Sequence, residues 1–205
     1  MKDSLYTIGY AGILGTLCAL LLTGVASFTA PYKANNARVE EVLSILTALG
    51  IPHAPDDSAA RLLEIFDANV REARQGDSTI YIYASPEGEE EPQAVALKFA
   101  GPGLWGPIEG FLALEADMKT IRGLTFSHQE ETPGLGGEIG APWFREQFVG
   151  KTIVDRTGQP GISIGGGQGA NAVDAITGAT MTCDKLEAIL DGVISRFVEE
   201  RHEGQ

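Results

Sequence analysis

Basic residues, cysteines and histidines are all scarce in this chain, and each shortage narrows what the chain can do. Lysine and arginine number 15 against 28 acids, giving a formal net charge of -13 and a pI near 4.6. Nucleic-acid binding needs clustered cations for the phosphates, so that function is excluded and an acidic, solvated surface is expected. The two cysteines lie far apart, Cys18 in an apolar run and Cys183 beside a threonine-rich segment. Neither a disulfide framework nor a CxxC redox site can be built from them. His53, His128 and His202 are scattered. Although His128 stands near Glu130 and Glu131, a metal site needs more ligands at helical or hairpin spacing, so no metal is expected.

Charge is missing altogether from Ile8 to Phe28, a run of 21 residues. At about 1.5 Å of rise per residue such a helix spans roughly the 30 Å of a bilayer's hydrocarbon. The rival reading is a signal peptide cleaved near Ala26, but the run is long for an h-region and its basic n-region is only Lys2 and the terminal amine. A retained single-pass anchor over residues 1–30 is therefore expected, with one domain over residues 31–205. Ala11, Gly15 and Ala19 recur at four-residue spacing and give the anchor a small-residue stripe of the kind that admits a second membrane helix. Lys2 is offset by Asp3, while Lys33 and Arg38 lie beyond the other end, so the positive-inside rule does not orient it.

After a short link at Pro31 to Asn36, Val39, Val42, Leu43, Leu46 and Leu49 recur at helical intervals up to a glycine stop at Gly50. Asp57 or Ser58 is expected to cap a second helix carrying Leu62, Leu63, Phe66 and Val70 on one face and ending around Gln75-Gly76. The period then shortens to that of strands at Thr79 to Tyr83 and Ala94 to Phe99, joined by an acidic Ser85 to Gln93 loop. A second hairpin is expected from Gly110 to Leu114 and Ile121 to Phe126, and a short strand at Thr152 to Val154. Gly165 to Gly169 lacks the strand-turn-helix setting of a dinucleotide loop and is expected to be a flexible connector. Strands in the middle and helices at both ends predict an α+β fold with a mostly antiparallel sheet and flanking helices.

The segment richest in chemistry is Asp174-Ala-Ile-Thr177-Gly178-Ala179-Thr180-Met-Thr182. It runs into a helix with Leu186, Ile189, Leu190, Val193, Ile194 and Phe197 on one face. Three hydroxyls therefore gather at a helix start, where unpaired N–H groups and a partial positive charge suit a phosphate. Simple capping by Thr182 or Asp184 would produce the same pattern.

This segment resembles the flavinylation signature of the FMN-binding domain family, Asp-x-x-(Ser/Thr)-Gly-Ala-(Ser/Thr)-x-(Ser/Thr). In that family a separate flavin transferase takes the FMN moiety of FAD and esterifies it to the last hydroxyl. The resemblance implies one covalent FMN on Thr182, with Asp174, Thr177, Gly178, Ala179 and Thr180 in the cofactor site. Spacing alone leaves Thr180 as a second candidate.

Further stretches resemble a narrower family, the C-subunits of the Na+-translocating NADH:quinone oxidoreductases. They are Gly103-Leu-Trp105-Gly-Pro-Ile-Glu-Gly110-Phe-Leu-Ala-Leu-Glu115, Glu131-Thr132-Pro133-Gly134-Leu135-Gly136-Gly137-Glu138-Ile139, Pro142-Trp143 and Gly150-Lys151. The Glu-Thr-Pro-Gly-Leu-Gly element is also similar to the G-subunits of the Rnf complexes. Glu131, Thr132, Gly134, Leu135 and Gly136 are accordingly expected at the cofactor, with Leu135 giving an apolar face. Of the tryptophans, Trp143 is the one expected near the flavin. The chain departs from the family pattern in its glycine-rich Gly165 to Gly169 and in Cys183, where a serine is usual.

The resemblance implies an electron-transfer subunit of that oxidoreductase, anchored by one helix in a bacterial inner membrane with its domain on the periplasmic side. Its partners would be the other membrane subunits and the flavin transferase, and the isolated chain would turn over little. Two readings stand beside it: an FMN relay of an Rnf-type or stand-alone pathway, and a non-redox anchored binding module whose threonines only cap a helix.

Overall fold

The computed structural model describes residues 2–76, 78–84 and 92–203, with the backbone alone at 2–5 and 202–203. The chain divides into two units, Met1–Glu40 and Glu41–Gln205. In the first, helix α1 (Lys2–Ala48) runs through the uncharged stretch with Ile8, Ile13, Leu20, Leu22 and Phe28 exposed. By length and composition it can cross a membrane, the one such helix among the described residues. Thr16 and Thr29 donate their hydroxyls to Gly12 O at 2.8 Å and Val25 O at 2.9 Å, which hides both polar groups against the backbone in the uncharged part of the helix. The link expected at Pro31 to Asn36 is helical instead, with Pro31 inside α1. A proline removes one intrahelical hydrogen bond, and the alanines Ala30, Ala34 and Ala37 around it are the strongest helix formers.

The second unit begins with the end of α1, where Val42, Ile45, Leu46, Ala48 and Leu49 are buried. Gly50, at φ 64°, stops the helix as expected, and Ile51 N–H closes the end on Leu46 O at 2.9 Å. Helix α2 (Ala59–Asn69) is capped by Ser58, whose Oγ accepts from Arg61 N–H at 3.3 Å. It ends earlier than its periodicity suggests, because Val70–Gln75 is strand β1. Arg71, Glu72 and Arg74 have no strong strand preference; pairing with β2 (Ser78–Tyr83) in the register Val70↔Tyr83 to Gln75↔Ser78 overrides it. Their charges also suit an edge strand.

The sheet continues as an antiparallel meander through β3 (Ala94–Pro102), β4 (Pro107–Glu115) and β5 (Ile121–Gln129), in the order β1-β2-β3-β4-β5. The expected α+β class and antiparallel sheet are observed, each strand of the two expected hairpins lying within an observed one. Of the acidic loop, residues 85–91 lie outside the described residues. Alternate side chains serve two cores. Val95, Leu97 and Phe99 of β3 join Leu112, Leu114 and Leu124 under the last helix, α4 (Thr180–Glu203), which contributes Leu186, Leu190, Ile194 and Phe197. On the other face Tyr81 meets Phe66 of α2 and Phe111 of β4 edge-on. There Thr125 Oγ1 also donates to Ser44 O of α1 at 2.9 Å. With both faces covered, β3 and β4 read as nearly continuous apolar runs.

Beyond β5 the chain makes a 3-10 helix at Gly136–Gly140, helix α3 (Pro142–Arg145) and a second 3-10 turn at Glu146–Phe148, inserting Ile139, Phe144 and Phe148 into the α4-side core. The strand expected at Thr152 to Val154 is only two isolated bridges, Thr120↔Thr152 and Val154↔Pro160, because each residue faces a different partner segment. Gly165 to Gly169 connects two short strands, β6 (Ser163–Ile164) and β7 (Ala172–Val173), that pair in parallel. β7 delivers the chain to the threonine-rich segment.

Candidate functional site

Three chain segments meet at the start of α4. The first is the hairpin turn between β3 and β4, closed by Gly103 N–H on Gly106 O at 2.8 Å. The register Ile108↔Gln129 sets this turn beside the end of β5, where Glu131 follows and the second segment begins. Gln129 Oε1 accepts from Glu131 N–H at 2.8 Å, and Thr132 O accepts from Leu135 and Gly137 N–H at 3.1 and 2.9 Å, so the chain turns sharply back. The third segment is Ile176 to Thr182. Gly178 at φ 79° makes the turn, Ala179 N–H closes it on Ile176 O at 3.0 Å, and Cys183 Sγ accepts from Ile176 N–H at 3.4 Å. Burial pushes the Cys183 thiol up, so it stays protonated at neutral pH and serves as a small packing group with an acceptor sulfur.

Thr182 is 2 % exposed and does not cap the helix. Its hydroxyl donates to Glu131 Oε2 at 2.8 Å, while Glu131 Oε1 accepts from the backbone N–H groups of Leu104 at 2.7 Å and Trp105 at 3.2 Å. One buried carboxylate thus joins all three segments. Gly136 lies against the pair, since a Cβ there would stand 2.5 Å from Thr182 Oγ1 and 2.9 Å from Glu131 Oε2.

A cavity of about 380 Å³ opens at this point, lined by residues of the same three segments. Of the residues singled out from sequence, Glu131, Thr132, Leu135, Gly136, Gly178, Ala179, Thr180 and Thr182 line it. Asp174, Thr177 and Gly134 are not in its lining. Asp174 is exposed, with its N–H held by Gln147 Oε1 at 2.9 Å, and Gly134, at φ 75°, serves the turn before Leu135. Three wall residues escape the motif reading: Leu104, Trp105 and Met181, exposed by 39, 72 and 60 %. Such exposure of large apolar side chains around one cavity marks a binding surface. Trp143, the tryptophan expected near the flavin, stands outside this wall: it packs edge-on against Phe144 and its Nε1 reaches Glu138 at 3.4 Å. The signal for Trp105 was the Gly103-Leu-Trp105 stretch between two strands, which places an aromatic on a turn with no core to enter. His128 pairs with Glu130 at 3.4 Å on the surface, while Glu131 turns inward.

The donor set fits a phosphorylated flavin. Thr180, Met181 and Thr182 open a 24-residue helix whose first N–H groups have no acceptor within it, which suits a phosphate. The absent side chain of Gly136 lets the chain pass close to Thr182 and Glu131, and the exposed apolar wall suits a flat ring.

The comparison with known families agrees in kind: residues 103–195 match FMN_bind, the FMN-binding domain, and the cavity's wall lies within that span. This stretch of the chain is therefore similar to FMN-binding domains. More narrowly, the chain is similar to the C-subunits of Na+-translocating NADH-quinone reductases. It is 36% identical over 129 residues to that of Vibrio alginolyticus, covering 61% of this chain and 50% of the relative. For Neisseria meningitidis serogroup B the figures are 34% over 160 residues, 71% and 61%. The chain thus spans about half to three fifths of these relatives' length. Two crystal structures share the fold. One is the C-subunit from Parabacteroides distasonis, with TM-score 0.66, 24% identity, and 86% of this chain and 96% of that one covered. The other is NqrC from Shewanella oneidensis, with TM-score 0.62, 21% identity, 76% and 91%.

Proposed function

We propose that this chain is the membrane-anchored electron-transfer subunit of a Na+-translocating NADH:quinone oxidoreductase, carrying one FMN esterified through its phosphate to Thr182. The observation that carries the reading is the Thr182 hydroxyl at the first turn of α4, facing a cavity walled by exposed Leu104, Trp105, Leu135 and Met181 within the FMN-binding domain span. Thr182 tethers the phosphate, and the N–H groups of the first turn of α4 face its charge. The apolar wall holds the ring system and keeps water from one side of it. When bound, the flavin supplies one- and two-electron transfer, so no side chain of the domain needs to act on a substrate. Thr180 lines the same cavity but is exposed and, among the described residues, has no carboxylate partner, which supports Thr182 as the acceptor.

The long apolar helix supports a single-pass anchor; an inner-membrane location with the domain on the periplasmic side rests on the family resemblance. There a covalent bond keeps a cofactor that no free FMN pool would replace. The partners are the other membrane subunits of the complex and a flavin transferase, and the isolated chain has little turnover. Intact mass of the full chain after co-expression with a flavin transferase tests the assignment. One FMN is expected on the unmodified chain and on Thr180→Ala, and none on Thr182→Ala. Flavin retained by Thr182→Ala and lost by Thr180→Ala moves the tether to Thr180, and no flavin on any chain refutes the reading.

A further inference from the structure

Glu131 is buried to 5 % exposure, and among the described residues no lysine or arginine pairs with it. Its carboxylate is instead fixed by hydrogen bonds alone. Leu104 and Trp105 N–H hold Oε1, and this aims Oε2 at Thr182 Oγ1, 2.8 Å away. Burying a carboxylate without a cation is costly. A neutral amide, or an apolar side chain with a water, would join the three segments at lower cost. The position therefore holds a group better suited to chemistry than to packing. The hydroxyl of a threonine is a poor nucleophile until a base takes its proton, and a base must stand about 2.6–3.2 Å from the oxygen it serves.

We propose that Glu131 is the general base of flavin attachment, accepting the Thr182 proton as the phosphoester forms. The inference rests on Thr182 being the acceptor. Thr182 Oγ1 forms a bond to the flavin-side phosphorus of flavin adenine dinucleotide held by the transferase. The bond from that phosphorus to the bridging oxygen breaks, adenosine monophosphate leaves with the electron pair, and the hydroxyl proton passes to Glu131 Oε2. The proton left on Glu131 means that the new phosphodiester does not face a second negative charge at hydrogen-bond distance. Two N–H donors on Oε1 hold the carboxyl group in place throughout, so the substrate domain itself brings part of the catalytic apparatus to the transferase. Thr180, with no carboxylate at its hydroxyl among the described residues, lacks this activation, which accounts for selection between two threonines at the same helix start.

The test uses the full chain in detergent with purified flavin transferase and flavin adenine dinucleotide, and follows attachment by intact mass over time at a series of pH values. Glu131→Gln keeps the shape and the capacity to bond Leu104 and Trp105 N–H but cannot take the proton. Its loading rate should fall about a hundredfold near neutral pH, the lower end of what a general base contributes. The ratio of wild-type to variant rates should shrink toward one as the pH falls, because a protonated Glu131 is no better a base than glutamine. This ratio removes the transferase's own pH dependence, and a purely structural role would leave it flat. Equal rates, or a large ratio that does not change with pH, overturn the proposal while leaving Thr182 as the tether. A wild-type chain that gains no flavin overturns both. If Glu131→Gln loses its cooperative melting transition, Glu131→Asp replaces it. The shortened carboxylate should load more slowly than wild type yet keep the acid limb of the pH profile, and wild-type loading by Glu131→Asp overturns the proposal.

Discussion

Replacing Thr182 by valine removes one hydroxyl and almost no volume, so it isolates the bond on which the site is centred. In the structure that hydroxyl donates to Glu131 Oε2 at 2.8 Å, and both residues are buried, at 2 and 5 % exposure. A hydrogen bond to a charged group is worth about 1.5–3 kcal/mol, and here its loss leaves Oε2 as a buried acceptor without a donor. Oε1 keeps the Leu104 and Trp105 N–H groups, so the carboxylate stays in place and cannot rotate to water. The expected loss is therefore about 1.5–3 kcal/mol, well inside a stability of roughly 5–15 kcal/mol, so the apo domain still folds. At about 2–4 °C per kcal/mol for a domain of this size, the melting temperature should fall by about 3–12 °C. Far-UV circular dichroism of the full apo chain in detergent, prepared without a flavin transferase, measures it, and Thr182→Ser should melt close to wild type. An unchanged melting temperature for Thr182→Val would mean that the Glu131–Thr182 bond contributes nothing to joining the three segments. That would refute the account given of the site's architecture.

Thr125→Val removes the hydroxyl that ties β5 to Ser44 O of α1 and should lower the urea midpoint by the equivalent of about 0.5–1.5 kcal/mol with an unchanged slope. Burial pushes the Asp191 carboxyl above its ordinary value of 3.8, while Ile162 N–H donating to Oδ1 partly opposes this. Its proton is thus held more tightly in the folded than in the unfolded chain, so its contribution to stability is full below pH 3.8 and is lost as the pH rises through the folded value. Asp191→Asn keeps the acceptor for Ile162, so its unfolding free energy should decline less than wild type's across that interval, measured by urea titrations at several pH values. Gly136→Ala, whose Cβ would stand 2.5 Å from Thr182 Oγ1, should push the Thr182 and Glu131 side chains apart and slow flavin attachment at least tenfold by intact mass.

Local pattern was enough wherever a residue's role depends on its sequence neighbours. The uncharged Ile8 to Phe28 run, the face of α4 from Leu186 to Phe197, the Gly50 stop and a cap at Asp57 or Ser58 were all legible, and the structure chose Ser58. Strands β2 to β5 were legible too, since their alternation and apolar runs report burial directly. The threonine segment was readable as a helix start, while the flavin tether that the family resemblance implies there is a proposal. The α2–β1 boundary was not legible: Val70–Gln75 is a strand because β2 offers it a full ladder of hydrogen bonds, and no local propensity encodes that partner. Proline signalled a break at Pro31 that the surrounding alanines did not honour.

For the site the division is similar. Sequence determined the residue types at the α4 start and in the Glu131 to Gly136 turn. Only the tertiary structure decided that Glu131 and Thr182, 51 residues apart, share a buried hydrogen bond. It likewise placed Trp105 at the cavity and Trp143 outside its wall. Chain order fixes neither pairing, because the β4–β5 register and the docking of α4 on β3 set the distances between these segments, and both follow from burying the two faces of one sheet.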